Sequence, residues 1–438
     1  MRQRWLSRPP GPSRKDKRGC DYEAYVPDPL EGRAFVFDAP VVNSVVEAES
    51  AISRLNAQAS SLVNTESLAR ILLRAESVAS SRIEGLEVGP RRLLRAEVER
   101  SLGQGPSDVT AVEVLGNIEA MMFAVDQVAP GGELSVELVL EVHRRLLAGT
   151  RLQGQGGKLR EVQNWIGGSS HNPCGAAFVP PPPEYVARLL EDFVVFCNDD
   201  SLPAVAQAAI AHAQFETIHP FAAGNGRTGR VLVHLVLRRR GTASRVLPPV
   251  SLVLATWARD YVGGLMSTRY KGSATSTEAV EGTNHWVAFF AEACARSVKD
   301  SFDFEHRADE IKAGWRSRLG RARADSATDR LLHRLVGAPV LTVGSAAALI
   351  GRSFEQTNRA IERLTEADIL HQVTVGRRNR AFEAHEIVDA FTDLERQLAS
   401  PEGDTRSSAP ARPVPRRLQT SLRVAKLSHG KTEQPANP

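Results

Sequence analysis

His219-Pro220-Phe221-Ala222-Ala223-Gly224-Asn225-Gly226-Arg227-Thr228-Gly229-Arg230 joins two helical patterns. Before it, residues 204–218 are rich in Ala, Ile, Val and Phe and contain neither Pro nor Gly. After it, Val231 to Leu237 is almost wholly apolar, as a helix buried in a core is. The loop between them suits an anion. Gly224 and Gly226 give the backbone the freedom to turn successive N–H groups inward, and the following helix start adds unpaired donors and a favourable dipole. Arg227 and Arg230 fall on one face of the first turn and can pair with phosphate oxygens. Asn225 can donate to the same group, and His219 at the mouth has the proton affinity of a general base. The alternative is an ordinary helix–helix turn carrying surface arginines, since Gly-rich loops are common.

The stretch resembles the signature of the Fic family, His-x-Phe-x-(Asp/Glu)-Gly-Asn-Gly-Arg-x-x-Arg, at every fixed position but one. The resemblance implies transfer of AMP from ATP to a Ser, Thr or Tyr hydroxyl of a target protein, with Mg²⁺ present. It casts His219 as the base and Phe221 as a core anchor. Gly224, Asn225 and Gly226 would cradle the phosphates, and Arg227 and Arg230 would hold the β- and γ-phosphates. The departure is Ala223, where the family has a carboxylate that binds Mg²⁺. Alanine offers no ligand, which implies a weakened metal site and either slow transfer or binding without chemistry.

Upstream, a helical pattern beginning near Thr65 or Ser67 ends in Ser80-Ser81-Arg82-Ile83-Glu84-Gly85. Ser80 and Glu84 share a helix face, and Gly85 is the residue expected just past a helix end. The plain reading is a capped helix with a surface carboxylate. The string also resembles the Fic inhibitory motif, (Ser/Thr)-x-x-x-Glu-(Gly/Asn). That likeness implies that Glu84 pairs with Arg230 and occupies the γ-phosphate position, as a carboxylate can.

Composition bounds the rest. The chain has 438 residues, enough for two or three domains, and a formal net charge of +4 that says little about partners. Its four cysteines, Cys20, Cys174, Cys197 and Cys294, are scattered without a Cys-x-x-Cys pair. That spacing speaks against a zinc ribbon or a disulfide framework and fits a reducing cytoplasm. No apolar run approaches the roughly 20 residues that span a bilayer, so no membrane role is expected. Residues 1–20 are Arg-rich, broken by Pro9, Pro10 and Pro12, and read as a disordered basic tail; residues 400–438, rich in Pro, Ser and Arg, read as another.

Taken in order, residues 21–107 form an N-terminal region holding the inhibitory helix, with 86–107 punctuated by Gly and Pro into loops. Residues 108–300 form the Fic core. Within it, residues 158–180 read as a short extended pair closed by Pro180 to Pro183, with edges free to take a peptide strand. The segment resembles the Fic flap, which implies that the target protein docks there. Tyr261 lies in a region that lines the adenine pocket in the family and is a candidate to stack on the base. Residues 301–324 read as a charged linker helix. Residues 325–399 resemble a winged helix-turn-helix: Ser353 to Gln356 fits a capping box at the start of a recognition helix, and Gly376-Arg377-Arg378-Asn379 a basic wing tip. Residues 353–380 could meet DNA, while Glu355, Glu362 and Glu366 favour a protein-docking module instead. Oligomeric state stays open, a homodimer included. The expectation is a mainly α fold, comprising a Fic helical core with a small β-hairpin flap and a C-terminal winged helix-turn-helix. The expected function is autoinhibited protein adenylyltransfer from ATP. Two alternatives remain: a Fic protein that binds nucleotide without turnover and acts through DNA or docking, and transfer of another nucleotide or phosphate group.

Overall fold

The computed structural model describes residues 1–6, 19–61, 65–101, 103, 105–169, 171–375 and 379–399. The described chain is mainly helical. Two strands open it, β1 (Arg2–Trp5) and β2 (Cys20–Glu23). Five helices follow: α1 (Ala39–Ser61), α2 (Thr65–Ile83), α3 (Pro90–Ser101), α4 (Val109–Gln127) and α5 (Val136–Leu146). Next come α6 (Pro183–Asn198), α7 (Ala204–Ile218), α8 (Asn225–Arg239), α9 (Val250–Thr256), α10 (Ala258–Ser267) and α11 (Thr277–Leu319). The C-terminal elements are α12 (Ala327–Arg334), β3 (Val340–Leu341), α13 (Val343–Ile350), α14 (Phe354–Glu366), β4 (His371–Val375), β5 (Asn379–Glu383) and α15 (His385–Ala399).

The core is built around α7, whose every residue is buried. An Ala-rich helix without Gly or Pro lets neighbours approach closely on all sides. α6, α8 and α11 pack on it, and α1 lies along α11. Trp286 of α11 is fully buried and donates its indole N–H to the Ala209 carbonyl at 2.7 Å, fixing α11 against α7. Polar caps start the flanking helices: Asp108 accepts from Ala111 N at 3.1 Å and Ser135 from Leu138 N at 3.2 Å. α2 packs between α4 and α9, which carries its C-terminal end to the head of α8.

Several expectations change. Residues 2–5 do not belong to a disordered tail: β1 pairs antiparallel with β2, Arg2 opposite Glu23 and Trp5 opposite Cys20. Residues 7–18 and 400–438 lie outside the described residues. Cys20 is bonded to Cys174, 154 residues away, so the cysteine scatter did not signal free thiols; only the fold brings the two together. Trp5 packs edge-on against Trp165 at 5.3 Å, so the same hairpin sits on the flap twice over. The stretch expected as loops contains α3, an amphipathic helix that buries Leu93, Leu94 and Ala96. Among the described residues the flap pairs at one bridge, Ile166 with Phe178, where an extended pair was expected. The expected linker helix is the second half of a continuous 43-residue α11, anchored by buried Phe304, Ala308 and Trp315.

Beyond α11, the four helices α12 to α15 accompany an antiparallel sheet of order β3-β5-β4. Ser353 caps α14 by accepting from Gln356 N at 3.3 Å, but the reciprocal capping box lies instead at Thr342 and Ser345. The tip residues 376–378 fall outside the described residues. This unit rests on the N-terminal end of α2: Glu66 is ion-paired to Arg334, and a side chain at Gly337 would strike the Ser67 backbone at 2.7 Å.

Candidate active site

α7 ends at His219, which turns left-handed at φ 50° and donates its N–H to Phe215 O at 2.9 Å. The loop then drops Phe221 into the core, fully buried, and rises to Gly224 at φ 79° as the N-cap of α8. Gly224 is required twice over: its φ suits glycine, and a Cβ would lie 3.1 Å from Leu146. Asn225 was expected to donate to phosphate. Its amide is instead spent on the loop, accepting from Phe221 N and donating to Phe221 O, both at 2.8 Å.

Two residues that the sequence reading missed hold this loop. His143 of α5 stacks on Phe221 with ring centroids 3.6 Å apart. Its Nε2 lies 2.9 Å from Ala223 O, and its Nδ1 accepts from Gly157 N at 3.0 Å. The second bond requires a bare Nδ1, which leaves the proton on Nε2 to be donated to Ala223. Burial pushes the His143 pKa down to about 4, so this tautomer persists at neutral pH. Arg160 is the other. Its guanidinium donates to His219 O at 2.9 Å, Pro181 O at 2.5 Å and Ile218 O at 3.3 Å, tying the flap to the end of α7. Burial lowers its pKa to about 10, which leaves it charged. No sequence signal marks either residue, because each acts on carbonyls distant in the chain.

At the head of α8 the two arginines are buried side by side, each against a carboxylate. Arg230 donates from Nε to Ser80 Oγ and from Nη2 to Ser80 O, both at 2.8 Å, and from Nη2 to Glu84 Oε1 at 2.7 Å. The structure thus brings together Ser80, Glu84 and Arg230. Burial alone would raise the Glu84 pKa, but the Arg230 charge and hydrogen bond outweigh it and hold the carboxyl below its usual range. Gly226 makes room for this contact: a Cβ there would sit 2.0 Å from Glu84 Oε1. Arg227 faces Glu113 of α4, Nη2 to Oε2 at 3.6 Å, a partner that no sequence signal marks. Tyr261, expected on the nucleotide base, is buried; its hydroxyl backs the site at 3.3 Å from Arg230 Nη1 and 2.7 Å from His212 Nε2.

His219 keeps a partly exposed ring beside this cluster. Burial brings its pKa down to about 4, and Arg160 and Arg269 add to the shift. The imidazole is therefore neutral at pH 7 and free to accept a proton. Glu216, one turn earlier on α7, has Oε2 3.9 Å from His219 Nδ1; burial pushes its pKa up to about 7.

Residues 133–237 match the family model described as Fic/DOC family, and residues 42–126 match its companion, Fic/DOC family N-terminal. The chain carries a Fic domain. Protein adenylyltransferase fic-1 of Caenorhabditis briggsae is 39% identical over 132 residues, 30% of this chain and 23% of the relative. Protein adenylyltransferase Fic of Drosophila grimshawi is 35% identical over 139 residues, 31% of this chain and 27% of the relative. The chain spans about a quarter of the length of these curated relatives. A solved Fic family protein from Desulfovibrio desulfuricans G20 aligns at a TM-score of 0.48 and 20% identity, covering 80% of this chain and 97% of that one.

The Fic signature implies a divalent ion held at position 223, and the residues present do not fit one. Ala223 has no side-chain donor, and its carbonyl is already engaged by His143. Among the described residues no group of three or more His, Cys, Asp or Glu side chains is arranged to hold a metal.

Proposed function

We propose that this chain is a protein adenylyltransferase whose Fic site is closed by its own α2. The observation that carries the reading is the grip of Ser80 and Glu84 on Arg230, beside a neutral His219 at the mouth of an anion-binding helix start. With Glu84 displaced, the ATP phosphates would take up Arg227, Arg230 and the first N–H groups of α8. A Ser, Thr or Tyr hydroxyl of a target protein, laid along the flap, gives its proton to His219 and its oxygen attacks the α-phosphorus. The new bond joins that oxygen to phosphorus; the bond from the α-phosphorus to its bridging oxygen breaks, and pyrophosphate leaves. Relatives named as protein adenylyltransferases support this chemistry.

AMP incorporation from labelled ATP, read as self-modification, tests it in wild type, Glu84→Gly and Glu84→Gly/His219→Ala. The expected result is label in Glu84→Gly, at least about tenfold over wild type, and none without His219. No label in Glu84→Gly overturns the reading.

A second reading is nucleotide binding without turnover, favoured by Ala223. Its output would run through residues 325–399, whose helices, three-stranded sheet order and capped α14 support a winged helix-turn-helix contacting DNA or protein. The proposal takes residues 325–399 as an appended unit that packs on the continuous α11. A cytoplasmic location belongs to it only with Cys20 and Cys174 as thiols. Among the described residues, no helix is long and apolar enough to cross a membrane.

A further inference from the structure

We infer that the anion site at the head of α8 holds nucleotide phosphates with guanidinium and backbone N–H groups alone, with no divalent ion in the site. The inference rests on the nucleotide half of the proposed function and concerns how that ligand is held.

The donor set carries the argument. A divalent ion bridging phosphates is usually fixed in a protein by one or two carboxylates beside the phosphates and water. Position 223 supplies none, since the side chain is a methyl group, and its carbonyl accepts from His143 at 2.9 Å. Three carboxylates lie near, and two of them are already paired with the arginines. Glu84 is 2.7 Å from Arg230, and Glu113 is 3.6 Å from Arg227. Glu216 is packed behind the loop, where its Oε1 would lie 3.0 Å from a Cβ on Gly229. Positive charge is already concentrated there. Arg227 and Arg230 are 5% and 2% exposed, and both stand on the positive end of α8. A dication brought beside two buried guanidiniums with no carboxylate of its own is repelled. The same guanidiniums, once Glu84 and Glu113 let go, neutralise two phosphate charges directly and bind them in fixed geometry. The ligand class is thus a nucleotide carrying at least two phosphates, bound as the free anion.

The test compares ATP binding to the full chain in excess Mg²⁺ and in excess EDTA, by calorimetry, with Glu84→Gly as the parent because its Arg230 is open. Binding in EDTA as tight as in Mg²⁺, to within about twofold, is expected; restoring the ligand in Glu84→Gly/Ala223→Asp should make binding about tenfold tighter with Mg²⁺ than without, the scale of one metal-supporting group. Loss of ATP binding by the parent in EDTA overturns the inference and leaves the nucleotide reading standing. No ATP binding in either buffer overturns both. Metal-independent binding without AMP transfer sustains the inference while the transfer reading fails.

Discussion

Arg227 and Arg230 differ in how they are restrained. Arg230 has four described hydrogen bonds, to Ser80, Glu84 and Tyr261, and is held from two sides. Arg227 has one loose ion pair with Glu113 and a 3.5 Å contact to the Glu113 carbonyl. A carboxylate and a phosphate compete for the same guanidinium, so under the proposed function Glu113 would oppose nucleotide entry at Arg227 as Glu84 would at Arg230. Its side chain is partly solvated, which keeps the pair weak. In a Glu84→Gly background, Glu113→Gln should tighten ATP binding by about three- to tenfold, the size of one part-exposed ion pair. Calorimetry on the single and double variants reads it, and an unchanged Kd would assign Glu113 to packing.

α2 and α8 meet along one face of each. Glu76 and Ser80 on α2 and Glu84 in the turn just past its end recur every four residues, and Arg230 and His234 are four apart on α8. Glu76 Oε1 lies 3.0 Å from His234 Nε2 in full burial, and its Oε2 accepts from Ser251 N at 2.7 Å. The contact of Ser80 and Glu84 with Arg230 is thus the outer of two polar rungs, and the inner rung would hold the helix in register if the outer one opened. The flap depends in the same way on Arg160, whose fork spans the carbonyls of Pro181, Ile218 and His219. Lysine keeps the charge but not the fork. Arg160→Lys should cost about 2–3 kcal/mol in urea unfolding, as two or three buried carbonyls lose their donors. A loss under half of that would mean that the flap holds itself.

Across the whole molecule, the C-terminal unit and the head of α8 meet opposite ends of α2. Arg334 and Gly337 grip it at Glu66 and Ser67, while Ser80 and Glu84 reach Arg230. Burial also makes the fold sensitive to acid. His143 and His219 are held near a pKa of about 4 and His212 near about 3, against about 6.5 when unfolded. Below about pH 6.5 the unfolded chain binds three protons that the folded chain does not, so stability falls as pH drops. Glu216 runs the other way: with a folded pKa of about 7 it keeps a proton that the unfolded chain gives up above about 4.5. The net is two protons taken up on unfolding between about pH 4.5 and 6.5, a slope of roughly 3 kcal/mol per pH unit. Urea midpoints across that window check the sign: midpoints that stay level or rise toward low pH would mean that these imidazoles are solvated.

The sequence by itself determined what is local. The helix span 204–218, the loop glycine Gly224, and the placement of His219, Arg227 and Arg230 around one helix start all follow from spacing along a single stretch. The motif at Ser80 and Glu84 was legible for the same reason. Tertiary structure decided which groups face one another across the chain. It gave Arg227 its partner Glu113, turned the Asn225 amide and the Tyr261 ring inward, placed His143 and Arg160 on the loop, and joined Cys20 to Cys174. Hydrogen bonds to backbone carbonyls and long-range pairings leave no periodicity or composition to read, because any residue offers the same carbonyl and only packing brings a given one within reach.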